Sequence, residues 1–158
     1  MRLGKWLAEE NWTLVQGLAE TIITGVSDDS RKVEPGMLFI ARSGVREDGA
    51  KYLMEALARG ARAVLLGDKA VLPEEVGQSA GAAVVRCKGE PDVAMVGRLA
   101  EKFYGEPSKQ LQLVGITGTK GKTTVAYLIQ QLLGELAGKC GMIGTICIDD
   151  GKKRFRRN

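Results

Sequence analysis

The segment Gly118-Thr119-Lys120-Gly121-Lys122-Thr123-Thr124 constrains this chain more than any other, because of what stands on either side of it. Before it, residues 111–116 form an apolar run of the length expected for a buried strand. After it, Val125, Leu128, Ile129, Leu132, Leu133 and Leu136 recur along one helical face, and Gly138 ends the run. Residues 142–148 then read as a returning strand. Strand, glycine-rich turn, helix and strand make a crossover unit, whose usual handedness predicts neighbouring or near-neighbouring parallel strands. A turn in that position suits phosphate. Glycines let successive N–H groups point inward, and the helix begins with its positive end at the same place. A lysine neutralises charge and a hydroxyl ligates magnesium. Gly118 and Gly121 supply the turn, Lys122 the charge and Thr123 the hydroxyl. The strict pattern also wants a glycine five residues before Gly121, where this chain has Ile116; the nearest are Gly115 and Gly118. Lys120 reads equally as a solvated loop lysine and as a phosphate contact.

The upstream sequence alternates in the same manner. Residues 2–10 have the pattern of a short helix, and residues 37–41 that of a buried strand fed by the Pro35-Gly36 turn. Residues 52–59 form a helical pattern closed by Gly60. Residues 63–66, ending at Gly67, and residues 82–85 read as further strands. Val96, Leu99, Ala100 and Phe103 follow helical spacing across residues 92–104, with Asp92 after Pro91 as the start signal. Gly105-Glu106-Pro107-Ser108 punctuates the chain, placing the domain boundary between residues 1–107 and 108–158. The expected class is α/β: a small N-terminal α/β domain, then the start of a parallel-sheet domain of the P-loop type.

Charge and cysteine content narrow the partners. Lys152, Lys153, Arg154, Arg156 and Arg157 supply five of the 23 basic residues; the remaining 18 fall one short of the 19 acidic ones. The net charge of +4 therefore belongs to the tail, whereas a nucleic-acid surface needs basic residues spread along a face. Nucleic acid is not an expected partner. Cys87, Cys140 and Cys147 form no Cys-x-x-Cys pair and there is no histidine, so a zinc site is not expected. Cys87 and Cys147 lie in apolar stretches and read as buried reduced thiols. The adjacent carboxylates of Asp28 and Asp29 point opposite ways on an extended segment and make a poor metal site. The N-terminus has no signal-peptide core, and no apolar run reaches membrane-spanning length. The expectation is a soluble cytoplasmic protein without membrane insertion, and a monomer.

Thr117-Gly118-Thr119-Lys120-Gly121-Lys122-Thr123-Thr124 resembles the ATP loop of the Mur ligases, written Thr-Gly-Thr-x-Gly-Lys-Thr-Thr, and the missing first glycine belongs to that form. Asp29-Ser30-Arg31 and the residues through Ala41, followed by Asp48-Gly49 and Gly60-Ala61, look like the family's N-terminal domain. Phe103-Tyr104-Gly105-Glu106-Pro107-Ser108 is similar to its entry into the central domain, and Gly141-Met142-Ile143-Gly144-Thr145 resembles the strand after the loop helix. The likeness covers nearly the whole chain in order. It is nearest to the branch that adds a diamino acid; the branch adding D-alanyl-D-alanine, whose loop usually has Gly-Ser, is the alternative, together with a non-catalytic nucleotide-binding module.

The resemblance implies an ATP- and Mg2+-dependent amide ligase of peptidoglycan synthesis. ATP phosphorylates the terminal carboxylate of UDP-MurNAc-L-Ala-D-Glu, and the amine of diaminopimelate or lysine then displaces phosphate. It assigns ATP to Gly118, Thr119, Lys120, Gly121, Lys122, Thr123 and Thr124, with Lys122 acting on the phosphates in catalysis and Thr123 on magnesium. It assigns substrate contacts to Ser30, with Asp28 beside it, to Val45, Arg46 and Glu47, and to Asn158, which opens the family's Asn-Thr-Thr-Pro loop. Arg31 is expected as a structural ion-pair or packing residue rather than a ligand. The family's enzymes have three domains, so the chain is expected to be a fragment, inactive alone and poorly stable in its second part. Its basic tail is expected to be a hairpin edge without its partner.

Overall fold

Three neighbouring strands, β3 (Leu38–Ile40), β4 (Ala63–Gly67) and β5 (Ala83–Cys87), are parallel to one another and buried on both faces. They form the centre of a computed structural model that describes residues 1–10, 12–42, 48–78 and 81–156. Successive strand residues point to opposite faces, so a strand covered on both sides is apolar at nearly every step. The exception is the half-buried Arg86 of β5, whose Nη1 donates to Gly67, Asp68 and Ala70 O. Leu38, Ile40, Ala63, Leu65, Ala83, Val85 and Cys87 pack on one side with Leu3 and Trp6 of α1 (Leu3–Glu10) and Leu99 of α4 (Val93–Phe103). Phe39, Val64, Leu66 and Val84 pack on the other with Leu53 and Ala56 of α2 (Leu53–Ala58) and Val76 of α3 (Glu74–Gln78). The five-stranded sheet runs β1-β5-β4-β3-β2, with β2 (Val26–Ser27) parallel at one edge and β1 (Thr13–Gln16) antiparallel at the other.

The helix ends follow their local chemistry. Asp92 accepts a hydrogen bond from the Met95 amide at 2.6 Å and caps α4. Gly60, at φ +95°, leaves α2 in the left-handed region. Tyr52 belongs to a 3-10 turn over Gly49–Tyr52 rather than to α2, because Asp48 captures the Ala50 amide at 2.9 Å and starts the turn early. The helices α1 and α4 are joined edge-to-face through Trp6 and Phe103, 6.0 Å apart, and by Lys102 to Glu10 at 2.6 Å.

The chain divides into two units, Met1–Leu111 and Gln112–Asn158. The second contains α5 (Lys122–Ala137) and an antiparallel sheet β6-β7-β8, formed by Met142–Ile143, Cys147–Asp149 and Arg154–Arg156. Three details of this unit depart from the pattern read in the sequence. Residues 111–116 are not a strand: a strand needs a ladder partner, and none of the described residues provides one, leaving Leu113 77% exposed. Residues 142–148 are not one strand but two, reversed by a turn in which the Gly144 amide bonds to Cys147 O at 2.9 Å. No parallel pair therefore flanks α5 among the described residues. The basic tail does have a partner: β8 pairs with β7, and Asp150 shapes the intervening turn by accepting from the Lys152 and Lys153 amides at 2.8 and 2.7 Å. On α5 the apolar stripe is largely exposed, Leu132 at 59%.

This contrast gives a direct expectation for stability. Leu65→Ala, in the two-sided core, should cost about 2–5 kcal/mol, whereas Leu132→Ala should cost about 0.5 kcal/mol or less. Urea unfolding of the 158-residue chain checks this; equal losses would contradict the packing described.

Candidate functional site

The Gly118–Thr124 turn owes its shape to two glycines. Gly121 precedes α5 with φ +77°, and nothing lies within 4 Å of the place its Cβ would take. Its requirement is thus backbone conformation rather than space, as an L-residue there costs roughly 1–2 kcal/mol. Gly118 has φ +145°. The first backbone bond of the helix is donated by the Val125 amide to Gly121 O at 2.9 Å. The Lys122, Thr123 and Thr124 amides precede it and belong to the set a helix start leaves without an internal acceptor. Sixteen residues of aligned peptide dipoles place partial positive charge at that end, and the first turn contains no acidic residue to cancel it.

Lys122 folds back over the turn. Its Nζ donates to Gly118 O and, at 3.5 Å, to Thr119 O. Thr123 is half-buried, while Gly118, Thr119, Lys120, Gly121, Lys122 and Thr124 are exposed. Amides, ammonium groups and hydroxyls thus share one largely exposed turn at a positive helix end, a donor set that fits a polyphosphate. The turn holds three threonine hydroxyls, Thr119, Thr123 and Thr124, and Thr123 is the one expected at magnesium. No group of three or more His, Cys, Asp or Glu side chains able to hold a metal occurs among the described residues. A magnesium ion held there would take most of its ligands from phosphate and water. An open hollow of about 460 Å3, lined by Gln130, Glu135, Cys140 and Lys152 among others, involves the C-terminal half of α5 and not the phosphate turn.

In the first unit Ser30 opens a 3-10 turn, Ser30–Lys32, just after β2. Asp29 caps that turn, accepting from the Arg31 amide at 3.1 Å and from Arg31 Nε and Nη2 at 2.9 Å each. The Arg31 side-chain bond holds the Asp29 carboxyl below its ordinary range, and Asp29 in turn raises Arg31. Asp28 turns instead to Arg42, beyond β3, accepting from Nε at 3.2 Å and Nη2 at 3.1 Å. The two adjacent carboxylates thus serve different arginines, as alternation on an extended segment requires. Ser30 is buried, and its Oγ donates to Glu55 Oε2 on α2 at 2.7 Å.

Glu55 and Arg42 escaped the sequence reading. Glu55 lies within a plain helical pattern, one turn before Arg59, and only the fold brings it to Ser30. Gly49 carries a stronger signal, since a Cβ there would stand 2.4 Å from Arg42 O, a close approach open only to glycine. Val45, Arg46, Glu47 and Asn158 lie outside the described residues. Cys87 and Cys147 are both buried; burial pushes the Cys87 thiol up, and Cys147 Sγ lies 3.1 Å from the Tyr127 hydroxyl.

Residues 22–104 match the Mur ligase family, catalytic domain, and residues 116–157 match the Mur ligase middle domain. The chain belongs to the Mur ligase family. It is 44% identical over 138 residues to the UDP-N-acetylmuramoyl-L-alanyl-D-glutamate--2,6-diaminopimelate ligase of Bacteroides thetaiotaomicron, covering 86% of this chain and 27% of that protein. To the ligase of the same name from Pseudomonas putida it is 43% identical over 129 residues, covering 80% and 25%. The chain thus spans about a quarter of the length of these curated relatives. A solved UDP-N-acetylmuramoyl-L-alanyl-D-glutamate--2,6-diaminopimelate ligase superposes with a TM-score of 0.55 at 32% identity, over 80% of this chain and 24% of that one. A crystal structure of MurF from Acinetobacter baumannii shares the fold, with a TM-score of 0.54 at 24% identity over 82% of this chain and 26% of that one. The expected α/β class, with its parallel sheet, is the class observed.

Asp29 yields a pH prediction. Its folded-state value lies below the ordinary 3.8, so its contribution is present above 3.8 and lost as pH falls through the depressed value. Asp29→Ala should cost about 1 kcal/mol at neutral pH, with the gap to the unsubstituted chain closing in acid. Chemical unfolding at a series of pH values measures this; a gap constant down to pH about 2 would contradict it.

Proposed function

We propose that this chain is the amino-terminal part of an ATP-dependent ligase that joins 2,6-diaminopimelate to UDP-MurNAc-L-Ala-D-Glu in the cytoplasm. The observation behind this is the exposed turn at the start of α5, with Gly121 in the left-handed region and Lys122 folded over the loop carbonyls. The choice of substrates is supported by the names of the relatives, which are ligases for 2,6-diaminopimelate. The same names favour diaminopimelate over lysine as the added amino acid. No helix among the described residues is long and apolar enough to cross a membrane.

In this proposal the second unit, Gln112–Asn158, binds ATP, which supplies the activating phosphoryl group when bound. Gly118, Thr119, Lys120, Gly121 and Thr124 line the phosphates, Lys122 neutralises their charge, and the Thr123 hydroxyl takes a place in the magnesium shell. The first unit, Met1–Leu111, holds the uridine end of the sugar nucleotide through Ser30, with contributions from Asp28, Val45, Arg46 and Glu47. Asn158 leads into the remaining substrate contacts. In this proposal the chain binds both ligands as a monomer without forming the amide.

Titration of the 158-residue chain with magnesium-ATP and, separately, with UDP-MurNAc-L-Ala-D-Glu tests these roles. Lys122→Ala should weaken ATP binding roughly 10- to 100-fold, the value of one hydrogen-bonded charge. It should leave sugar-nucleotide binding unchanged. Unaltered ATP affinity would remove Lys122 from the phosphate site, and amide formation by the chain itself would overturn its proposed inactivity.

A further inference from the structure

Among the described residues Ser30 is the only polar or charged one that is buried, at 6% exposure. The cap of its 3-10 turn is already provided by Asp29, and the turn is closed by the Val33 amide on Ser30 O. The Ser30 hydroxyl is therefore not consumed in building the turn. It reaches across instead to α2, where Glu55 Oε2 accepts its proton at 2.7 Å. The other carboxylate oxygen, Oε1, lies 3.5 Å from Arg59 Nε, so the Glu55 group is engaged on both sides.

The direction of this bond has a chemical consequence. A carboxylate accepts and does not donate, so the proton shared with Glu55 is the one Ser30 owns. A hydroxyl has a single proton and two lone pairs. With the proton committed, Ser30 can meet a ligand only as an acceptor. A ligand group at Ser30 must then be a donor. Given the uridine role proposed above for Ser30, two groups of that nucleoside qualify: the imide N–H of the base and a hydroxyl of the ribose.

We propose that Glu55 is a positioning residue that holds the Ser30 hydroxyl as a hydrogen-bond acceptor, so that the site selects a uridine donor group. Glu55 need not touch the ligand. It sets the polarity of the residue that does.

The test is equilibrium binding of UDP to the 158-residue chain and to its Glu55→Ala, Glu55→Gln, Ser30→Ala and doubly substituted forms. Far-UV circular dichroism and thermal unfolding establish that each is folded. Glu55→Ala should weaken UDP binding roughly five- to tenfold. Glu55→Gln keeps a carbonyl acceptor and should stay within about twofold of the parent. Glu55→Ala added to Ser30→Ala should cost nothing more, because the residue it positions is gone. ATP binding should not move in any of them. UDP analogues identify the donor: 3-methyl-UDP lacks the imide N–H, and the 2′-deoxy and 3′-deoxy forms each lack one ribose hydroxyl. One of them should lose affinity for the parent chain but lose nothing relative to UDP in Ser30→Ala. Parental affinity in Glu55→Ala, a Gln variant as weak as the Ala variant, or analogue losses indifferent to Ser30 would each overturn the proposal while leaving the uridine site intact. Failure of the parent chain to bind UDP would overturn both. Should Glu55→Ala not fold, the Gln variant and the analogue series still decide.

Discussion

Two-sided burial of β3, β4 and β5 is the constraint on which the first unit depends. Each strand must be apolar at successive positions, and each sends alternate side chains into a different helical layer. Leu38 and Ile40 thereby serve the α1/α4 side, while Phe39 between them serves the α2 side. The register that satisfies both layers leaves no freedom to slip, since a shift of one residue would exchange the two faces of a strand. Apart from Arg86 within β5, polar chemistry in the three central strands is accordingly left to the residues beyond their ends. Asp28, Asp29 and Ser30 follow β2, and Arg42 follows β3. The packing of α2 on the sheet is what carries Glu55 to Ser30. The candidate uridine site is thus a product of the core, although no core residue enters it.

The phosphate turn depends on a different kind of constraint. It gains little from burial: most of its residues are exposed, and the helix it begins has no buried side chain. Its character is set by backbone conformation at Gly118 and Gly121 and by the electrostatics of a sixteen-residue helix. Such a turn can hold its shape with few tertiary contacts, because glycine removes the steric penalty for positive φ. Val125, Leu128, Leu132 and Leu136 of α5 meanwhile face solvent in the described chain, so the second unit draws less of its stability from a core than the first does.

How far the sequence discloses all this varies with the range of the interaction. The strands β4 and β5 and the capped helix α4 are legible because their determinants are local: unbroken apolar runs, and Asp92 placed for the Met95 amide. The start of α5 at Lys122 is legible for the same reason, since Gly121 marks it. Pairing is not local. Residues 111–116 have a strand's composition without a strand's partner, and residues 142–148 conceal a reversal at Gly144 that apolar composition alone does not reveal. The short edge strands β1 and β2 leave no clear pattern either, being four and two residues long. Asp28 and Asp29 were separable by alternation, yet their arginine partners differ in visibility: Arg31 is next but one, whereas Arg42 is brought in by the sheet. Glu55 is the clearest omission, because a glutamate on a helix signals nothing until the helix is docked.

The central claim is that one chain carries two separate ligand sites, one for a sugar nucleotide in the first unit and one for ATP in the second. Amide hydrogen exchange of the 158-residue chain, with each ligand added alone, tests it most directly. UDP-MurNAc-L-Ala-D-Glu should slow exchange around Ser30 and at the start of α2, leaving the phosphate turn as it was. Magnesium-ATP should slow exchange at Lys122, Thr123 and Thr124 and leave the Ser30 turn unchanged. Protection of the same amides by both ligands, or of neither turn by either, would contradict the account.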